Sequence, residues 1–151
     1  MSESILKKLK GRENVLLDTM LFIYLFEGDG KYADVVEKII ALANEKAFSA
    51  IISPISAAEI LVKPVRLGET AIADKYRSVL CNIPNVKSVP LNFEIAFLAG
   101  SLRGKYGLPI PDMFQAATAI YHSKSPAIFT NDKALKRLAE ELDVYILDEF
   151  I

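Results

Sequence analysis

The sequence contains one histidine and one cysteine among its 151 residues, and this scarcity excludes several kinds of catalytic site. A ribonuclease mechanism that needs two histidines is impossible. A Ser-His-Asp triad would depend on His122 alone, and no Gly-x-Ser-x-Gly motif accompanies it. Zinc is disfavoured without a set of Cys and His ligands. The lone Cys81 excludes a disulfide framework and favours a reducing cytoplasm, and its apolar neighbours predict a position in the core.

The chain also lacks glycine-rich phosphate loops, long apolar runs and an excess of charge. Neither Gly-x-x-x-x-Gly-Lys-Ser/Thr nor Gly-x-Gly-x-x-Gly occurs. No apolar run is long enough to span a membrane, so no membrane partner is expected. The net charge of −1 gives no overall attraction to nucleic acid, which must then be bound through local basic groups or a metal.

Short apolar runs alternate with segments of helical spacing, which predicts an α/β fold with a mostly parallel sheet covered on both faces. Strands are predicted at 14–17, 48–52, 86–89, 127–129 and 144–147. Helices are predicted at 19–26, 32–46, 56–62, 69–80, 92–106, 111–122 and 133–142. Pro64 is expected to stop the third of these helices. Residues 1–13 are expected to be a loose basic leader, and 14–151 a single domain.

An acidic residue occurs at each of four predicted strand-to-helix junctions. These residues are Asp18, Glu59, Asp112 and Asp132. In an open parallel sheet such junctions gather outside the carboxyl ends of the strands, so we expect the four carboxylates to converge. Carboxylates in one crevice repel each other unless protons or cations offset their charge. A hard divalent cation is the usual reason to assemble them.

Helix capping offers an alternative explanation for each acid taken singly. Asp18 and Asp132 can cap the helices that follow them, and Asp112 lies in a first helical turn, where the macrodipole favours an anion. Ser56 and Glu59 have the spacing of a capping box. Capping does not explain why all four positions are carboxylates, and it does not exclude metal binding.

A site made only of carboxylates selects Mg²⁺ or Mn²⁺, and the reaction it implies is hydrolysis of a phosphodiester by a metal-activated water. Basic groups near the acid motifs are then candidates for contacts with the flanking phosphates, although each is also explained as ordinary solvated surface. The candidates are Arg103, Lys105, Lys63, Arg66 and Lys133. Arg103 carries the most weight because its helix leads into the turn before Asp112.

Four motifs in order resemble the PIN-domain family, in particular its VapC-like toxin ribonucleases. They are VLLDT at 15–19, ISAAEIL at 55–61, GLPIPD at 107–112 leading into AATA at 116–119, and FTNDK at 129–133. The resemblance implies a three-layer α/β/α sandwich around a parallel five-stranded sheet. It also implies an endoribonuclease that uses Mg²⁺ or Mn²⁺ at Asp18, Glu59, Asp112 and Asp132, with Thr130 supporting a ligand or water. Because members of the family are usually dimers and the toxins are blocked by an antitoxin peptide in the active-site groove, the resemblance also implies a homodimer and an antitoxin partner for this chain.

One position departs from the family pattern. Two residues after the first acid the family often has a small polar residue, whereas this chain has Met20. Met20 and the absence of a strong basic surface leave open a catalytically weak module that binds RNA or protein. A second alternative to a toxin is an RNA-processing nuclease of the same fold.

Overall fold

Five parallel strands form one sheet in the order β3-β2-β1-β4-β5 in the computed structural model, which describes residues 2–151. Met1, the first residue of the predicted leader, lies outside the described residues. The strands are β1 (Val15–Leu17), β2 (Ala50–Ile52), β3 (Val86–Ser88), β4 (Ala127–Thr130) and β5 (Asp143–Ile146). The predicted parallel five-stranded sheet is confirmed.

Seven α-helices connect and cover these strands. They are α1 (Ser2–Leu9), α2 (Thr19–Glu27), α3 (Gly30–Asn44), α4 (Pro54–Arg66), α5 (Thr70–Cys81), α6 (Phe93–Tyr106) and α7 (Ile110–Tyr121). Two 3₁₀ helices, Lys133–Leu138 and Leu147–Phe150, flank β5. Within residues 2–151, none of the helices is both long and apolar enough to cross a bilayer.

The central strand β1 divides the core into two clusters because successive side chains point to opposite faces of the sheet. Val15 and Leu17 belong to the cluster formed with α1, α2 and α3. Leu16 belongs to the cluster formed with α6 and α7. All three side chains are buried. The sheet therefore lies between two helical layers, as the α/β/α prediction requires.

The register of the sheet aligns the ends of its middle strands. Leu16 pairs with Ile51 on one side and with Ile128 on the other. Because all the strands are parallel, the segments that follow β1, β2 and β4 leave from the same edge. This edge receives Asp18 directly after β1 and Asn131–Asp132 directly after β4.

The predicted loose leader is instead a helix that belongs to the core. The side chains of Ile5 and Leu9 in α1 are fully buried and join the same cluster as Phe48 and Phe150. Burial of this apolar stripe explains why the segment is ordered as a helix. The basic residues Lys7 and Lys8 lie in its last turn and are exposed.

Three other predictions are corrected. Pro64 does not end α4 but lies inside it, with its ring buried, although proline supplies no N–H for the helical hydrogen bond at this position. The segment after Asp132 is a 3₁₀ helix that ends at Leu138, not an α-helix to 142. Cys81 is exposed at the end of α5, so its position in the core was predicted wrongly.

Candidate active site

The four predicted acids lie at the carboxyl edge of the sheet on four different elements. Asp18 follows β1, Asp132 follows β4, Glu59 lies in α4, and Asp112 lies in the first turn of α7. The negative charges of Glu59 and Asp132 help to raise the pKa of Asp18, and the charges of the other three acids help to raise the pKa of Asp112. Asp18 and Asp112 therefore each lie within electrostatic range of the other three acids.

Asp18 is the most enclosed of the four, with 5% of its surface exposed. Its Oδ1 accepts hydrogen bonds from the Thr19 backbone N–H at 2.8 Å and from Gln115 Nε2 at 3.3 Å. Its Oδ2 accepts a hydrogen bond from Thr130 Oγ1 at 2.6 Å. Burial raises the pKa of Asp18, and the donors Thr130 and Thr19 oppose that effect by stabilising the anion. The predicted cap of α2 is confirmed.

Glu59 is exposed and is held from a neighbouring helix. Its Oε1 accepts a hydrogen bond from Thr19 Oγ1 at 2.8 Å. The predicted capping box is wrong, because α4 begins earlier: Ser53 is its N-cap and accepts a hydrogen bond from the Ile55 N–H at 3.1 Å. Ser56, the other half of that pattern, pairs with the Thr19 hydroxyl at 2.8 Å instead.

Asp112 is half-buried, and its carboxylate accepts no hydrogen bond from residues 2–151. The pKa of Asp112 is raised to about 6, first by burial and then by the charges of Asp18, Asp132 and Glu59, in that order. Desolvation and like charges both disfavour the ionised form, and no donor opposes them. Asp112 is consequently the acid of the cluster whose charge is least compensated.

Asp132 and Thr130 are hydrogen-bonded to each other at the end of β4. Asp132 Oδ1 accepts a hydrogen bond from the Ala134 N–H at 3.0 Å, which confirms the predicted cap. The Asp132 N–H donates to Thr130 Oγ1 at 3.1 Å, and the same hydroxyl donates to Asp18. Thr130, predicted as a supporting residue, therefore connects two of the acids through one oxygen atom.

Three further residues of this cluster were not predicted from the sequence: Thr19, Ser56 and Gln115. All three are buried, and Gln115 Nε2 donates to Thr19 Oγ1 at 3.1 Å and to Ser56 Oγ at 3.0 Å. For two of these residues, the helical spacing relative to a predicted acid could have indicated a place in the site. Ser56 lies three residues before Glu59, and Gln115 three residues after Asp112, so each shares a helix face with an acid.

The chemistry of this donor set suits a hydrated divalent cation. Within residues 2–151, none of the four carboxylates forms a salt bridge, so their charge is not compensated by Lys or Arg. In the same range, no three His, Cys, Asp or Glu side chains are placed to hold one metal ion between them. Mg²⁺ keeps several waters and is commonly bound through one or two carboxylates, so it does not require three protein ligands.

The three lysines predicted to contact phosphate form salt bridges within the protein. Lys63 pairs with Glu27 at 2.9 Å, Lys133 with Asp148 at 3.5 Å, and Lys105 with Glu141 at 3.7 Å. Lys63 and Glu59 line the same cavity, of about 240 Å³, between α2, α4 and α5.

The two predicted arginine contacts differ. Arg103 Nη1 donates to the carbonyl oxygens of Gly107 at 2.6 Å and Leu108 at 3.0 Å, so it holds the turn between α6 and α7. Arg66 is exposed in the last turn of α4 and forms no salt bridge within residues 2–151. Met20, the departure from the family pattern, is half-buried in α2.

Comparison with known proteins supports the resemblance found in the motifs. The family model described as PIN domain matches residues 15–141. Among solved structures, VapBC2 from Rickettsia felis bound to a promoter DNA fragment is 18% identical, with a TM-score of 0.70, 89% of this chain covered and 98% of that one. A toxin-antitoxin complex from Klebsiella pneumoniae is 24% identical, with a TM-score of 0.64 and the same coverage. DNA-bound VapBC from Salmonella typhimurium is 14% identical, with a TM-score of 0.67 and the same coverage. The comparison with curated proteins finds no significant match.

Proposed function

Since the chain belongs to the PIN domain family, we propose that it is an endoribonuclease that hydrolyses RNA phosphodiester bonds with a divalent cation, Mg²⁺ or Mn²⁺. One observation carries the proposal. Asp18, buried at the end of the central strand, is linked to Asp132 through the Thr130 hydroxyl and to Glu59 through Thr19. Asp112 lies near enough for the charges of these three acids to help raise its pKa. A cluster of carboxylates without a basic partner is costly, and a cation that binds among them offsets the cost.

Asp18, Glu59, Asp112 and Asp132 are the proposed cation ligands, directly or through water. When bound, a divalent cation activates water for attack and neutralises the charge that develops on the phosphate. The protein's own groups do the positioning. Thr130 fixes one oxygen of Asp18, and Thr19 fixes one oxygen of Glu59.

The substrate must be held by groups other than the acids, because these repel a polyanion. Arg66 lies exposed on α4, the helix that carries Glu59, and is the proposed phosphate contact with a free guanidinium within residues 2–151. Lys63 and Lys133 contribute if their side chains exchange Glu27 and Asp148 for phosphate. Both pairs are exposed, so water and salt screen them and phosphate can compete for the lysines.

The similar structures named above support a biological setting. Two are VapBC complexes and one is a toxin-antitoxin complex. We therefore assign this chain the role of the toxin in such a pair, active in the cytoplasm as a homodimer and inhibited by an antitoxin protein. The exposed thiol of Cys81 fits a reducing compartment.

The direct test is cleavage of single-stranded RNA by purified protein with Mg²⁺ or Mn²⁺ and with EDTA. Asp18→Asn and Asp112→Asn remove one charge each from the cluster. Asp74→Asn makes the same chemical change at an exposed position of α5, away from the cluster, and is the matched control. We expect cleavage with wild type and Asp74→Asn and its loss in the two site variants. Equal rates in all four proteins would rule out the site.

A second function, that of a binding module with weak catalysis, is favoured by one observation. No three acidic side chains within residues 2–151 are placed to hold one metal ion. Such a module would bind RNA or protein but would cleave RNA weakly or not at all. RNA binding that persists without cleavage, across RNAs of different sequence and structure, would support it over the nuclease.

A further inference from the structure

Gln115 is an unusual residue to find in the centre of α7. Its side chain has 1% of its surface exposed, and the nearby positions Met113, Ala116 and Ala117 of the same helix are buried and apolar. Its Oε1 is buried and has no hydrogen-bond partner within residues 2–151. A buried acceptor without a donor loses its hydrogen bonds to water and gains none in return, so fold stability alone does not account for a glutamine here.

The other end of the same amide is fully used. Nε2 has two hydrogens and lies within hydrogen-bond distance of three acceptors: Asp18 Oδ1 at 3.3 Å, Thr19 Oγ1 at 3.1 Å and Ser56 Oγ at 3.0 Å. An ionised Asp18 carboxylate accepts hydrogen bonds and donates none. The amide of Gln115 must therefore turn its nitrogen, not its oxygen, toward Asp18. The orphan oxygen is the consequence of that orientation.

The three acceptors belong to different parts of the site. Asp18 follows β1, whereas Ser56 lies on α4, the helix that carries Glu59. Thr19 joins them, because its hydroxyl pairs with Ser56 and donates to Glu59 Oε1 at 2.8 Å. Gln115 itself lies on α7, one turn after Asp112. A single amide therefore connects the elements that carry three of the four acids.

We propose that Gln115 is a positioning residue of the acidic cluster, whose amide nitrogen holds Asp18 and the Thr19–Ser56 pair, and through that pair Glu59, at the separation that a divalent cation requires. This inference rests on the proposed function, since it assigns the cation to the same carboxylates. Gln115 does not touch the cation or the RNA. Its effect is exerted through the orientation of the residues that do.

The test measures Mn²⁺ binding by calorimetry, without RNA, together with thermal melting in EDTA. Gln115→Met keeps the length of the side chain but removes the donor. Groups that orient metal ligands are worth about 10–100-fold in metal affinity, and we expect a loss of that size. The melting temperature should not fall, because the orphan Oε1 leaves together with the donor. A purely structural glutamine would give the reverse pattern.

Two further variants make the result decisive. Gln115→Asn keeps an amide but shortens the side chain by one methylene, so it should also weaken Mn²⁺ binding. This variant replaces Gln115→Met in the test if Gln115→Met does not fold. Thr118→Val removes a buried hydroxyl from the same helix. This hydroxyl donates to Phe114 O at 2.7 Å and not to the acidic cluster. Thr118→Val should bind Mn²⁺ as wild type does.

Three outcomes would overturn the inference. Mn²⁺ affinity that is unchanged in Gln115→Met but lost in Asp18→Asn would reject the role of Gln115 and leave the proposed function standing. An equal loss in Thr118→Val would show that any damage to α7 suffices. Wild-type binding in Asp18→Asn would remove the proposed function, and the inference with it.

Discussion

The Thr130 hydroxyl donates a hydrogen bond of 2.6 Å to Asp18 Oδ2, across a separation of 112 residues in the sequence. The same oxygen accepts the backbone N–H of Asp132 at 3.1 Å. Thr130 is fully buried, so neither bond is exchanged with water. This one side chain sets the relative position of the acids that follow β1 and β4.

Replacement of Thr130 tests that role. Thr130→Val keeps the shape of the side chain but leaves one oxygen of Asp18 and the N–H of Asp132 without their partner. We expect a loss of about 1–3 kcal/mol in the free energy of unfolding and a lower rate of RNA cleavage. Thr130→Ser retains the hydroxyl and is the control. Urea denaturation and cleavage assays decide the matter, and a Val variant equal to the Ser variant in both would contradict it.

Asp112 predicts an unusual dependence of stability on pH. Its pKa is raised to about 6 in the folded protein, above the ordinary value of 3.8 that applies to the unfolded chain. The folded state therefore binds the proton more tightly between these values, and the ionised carboxylate destabilises the fold above pH 6. This penalty disappears as the pH falls from 6 towards 3.8.

Asp112→Asn should consequently melt at a higher temperature than wild type at pH 8 in EDTA, and the difference should shrink towards pH 4. Asp148→Asn is the opposing control. Its carboxylate accepts from Tyr32 and pairs with Lys133, and the Tyr32 hydrogen bond is the main cause that lowers the pKa of Asp148. This acid stabilises the fold above its ordinary pKa, so its removal should lower the melting temperature at pH 8. A destabilised Asp112→Asn would refute the argument.

Cation binding should be visible as thermal stabilisation. A ligand that binds only the folded state stabilises it by about 2.7 kcal/mol at one hundred times its Kd, which corresponds to roughly 5–10 °C for a domain of this size. We expect Mn²⁺ or Mg²⁺ to raise the melting temperature above that in EDTA. The shift should vanish in Asp18→Asn and persist in Asp74→Asn. Superimposable curves for wild type with EDTA and with saturating Mn²⁺ would count against the site.

The positions of Asp18 and Asp132 could be predicted because both directly follow buried strands, and a parallel sheet brings such positions to one edge. The partner of Glu59 could not be predicted in this way. Ser56 and Glu59 have the spacing of a capping box, but Glu59 accepts a hydrogen bond from the Thr19 hydroxyl instead. This hydroxyl is within reach only because α2 packs beside α4. Gln115 was missed for the same reason, since its three acceptors lie 59 to 97 residues away.

The packing of the N-terminal segment could not be predicted from its hydrophobic spacing. Ile5 and Leu9 are spaced as one face of a helix, but the sequence does not reveal whether the core leaves a patch for them to cover. In the structure Phe48 and Phe150 belong to the same cluster. The prediction of a loose segment was therefore wrong about packing, although the amphipathic spacing was visible.

Substitutions in α1 test whether this helix contributes to stability. Leu9→Ala removes a fully buried side chain and should cost about 2–5 kcal/mol of unfolding free energy. Leu6, in the same helix, is 36% exposed, and Leu6→Ala should cost much less, near the ±0.5 kcal/mol of ordinary surface changes. Chemical denaturation of both variants gives the comparison. Equal and small effects would mean that the leader is dispensable for the fold.

Arg66 and Arg103 were both predicted to contact phosphate, and the structure separates them. Arg66 is exposed without a salt bridge in residues 2–151, so Arg66→Gln should weaken RNA binding and reduce its salt dependence by about one unit of slope, with stability unchanged. Arg103 instead donates to two carbonyl oxygens in the turn before Asp112, so Arg103→Gln should lower stability and leave the salt slope unchanged. RNA titrations at several salt concentrations, together with melting curves, distinguish the two roles. A salt slope that falls in Arg103→Gln but not in Arg66→Gln would reverse the assignment, because only a side chain that binds phosphate releases counterions from the RNA.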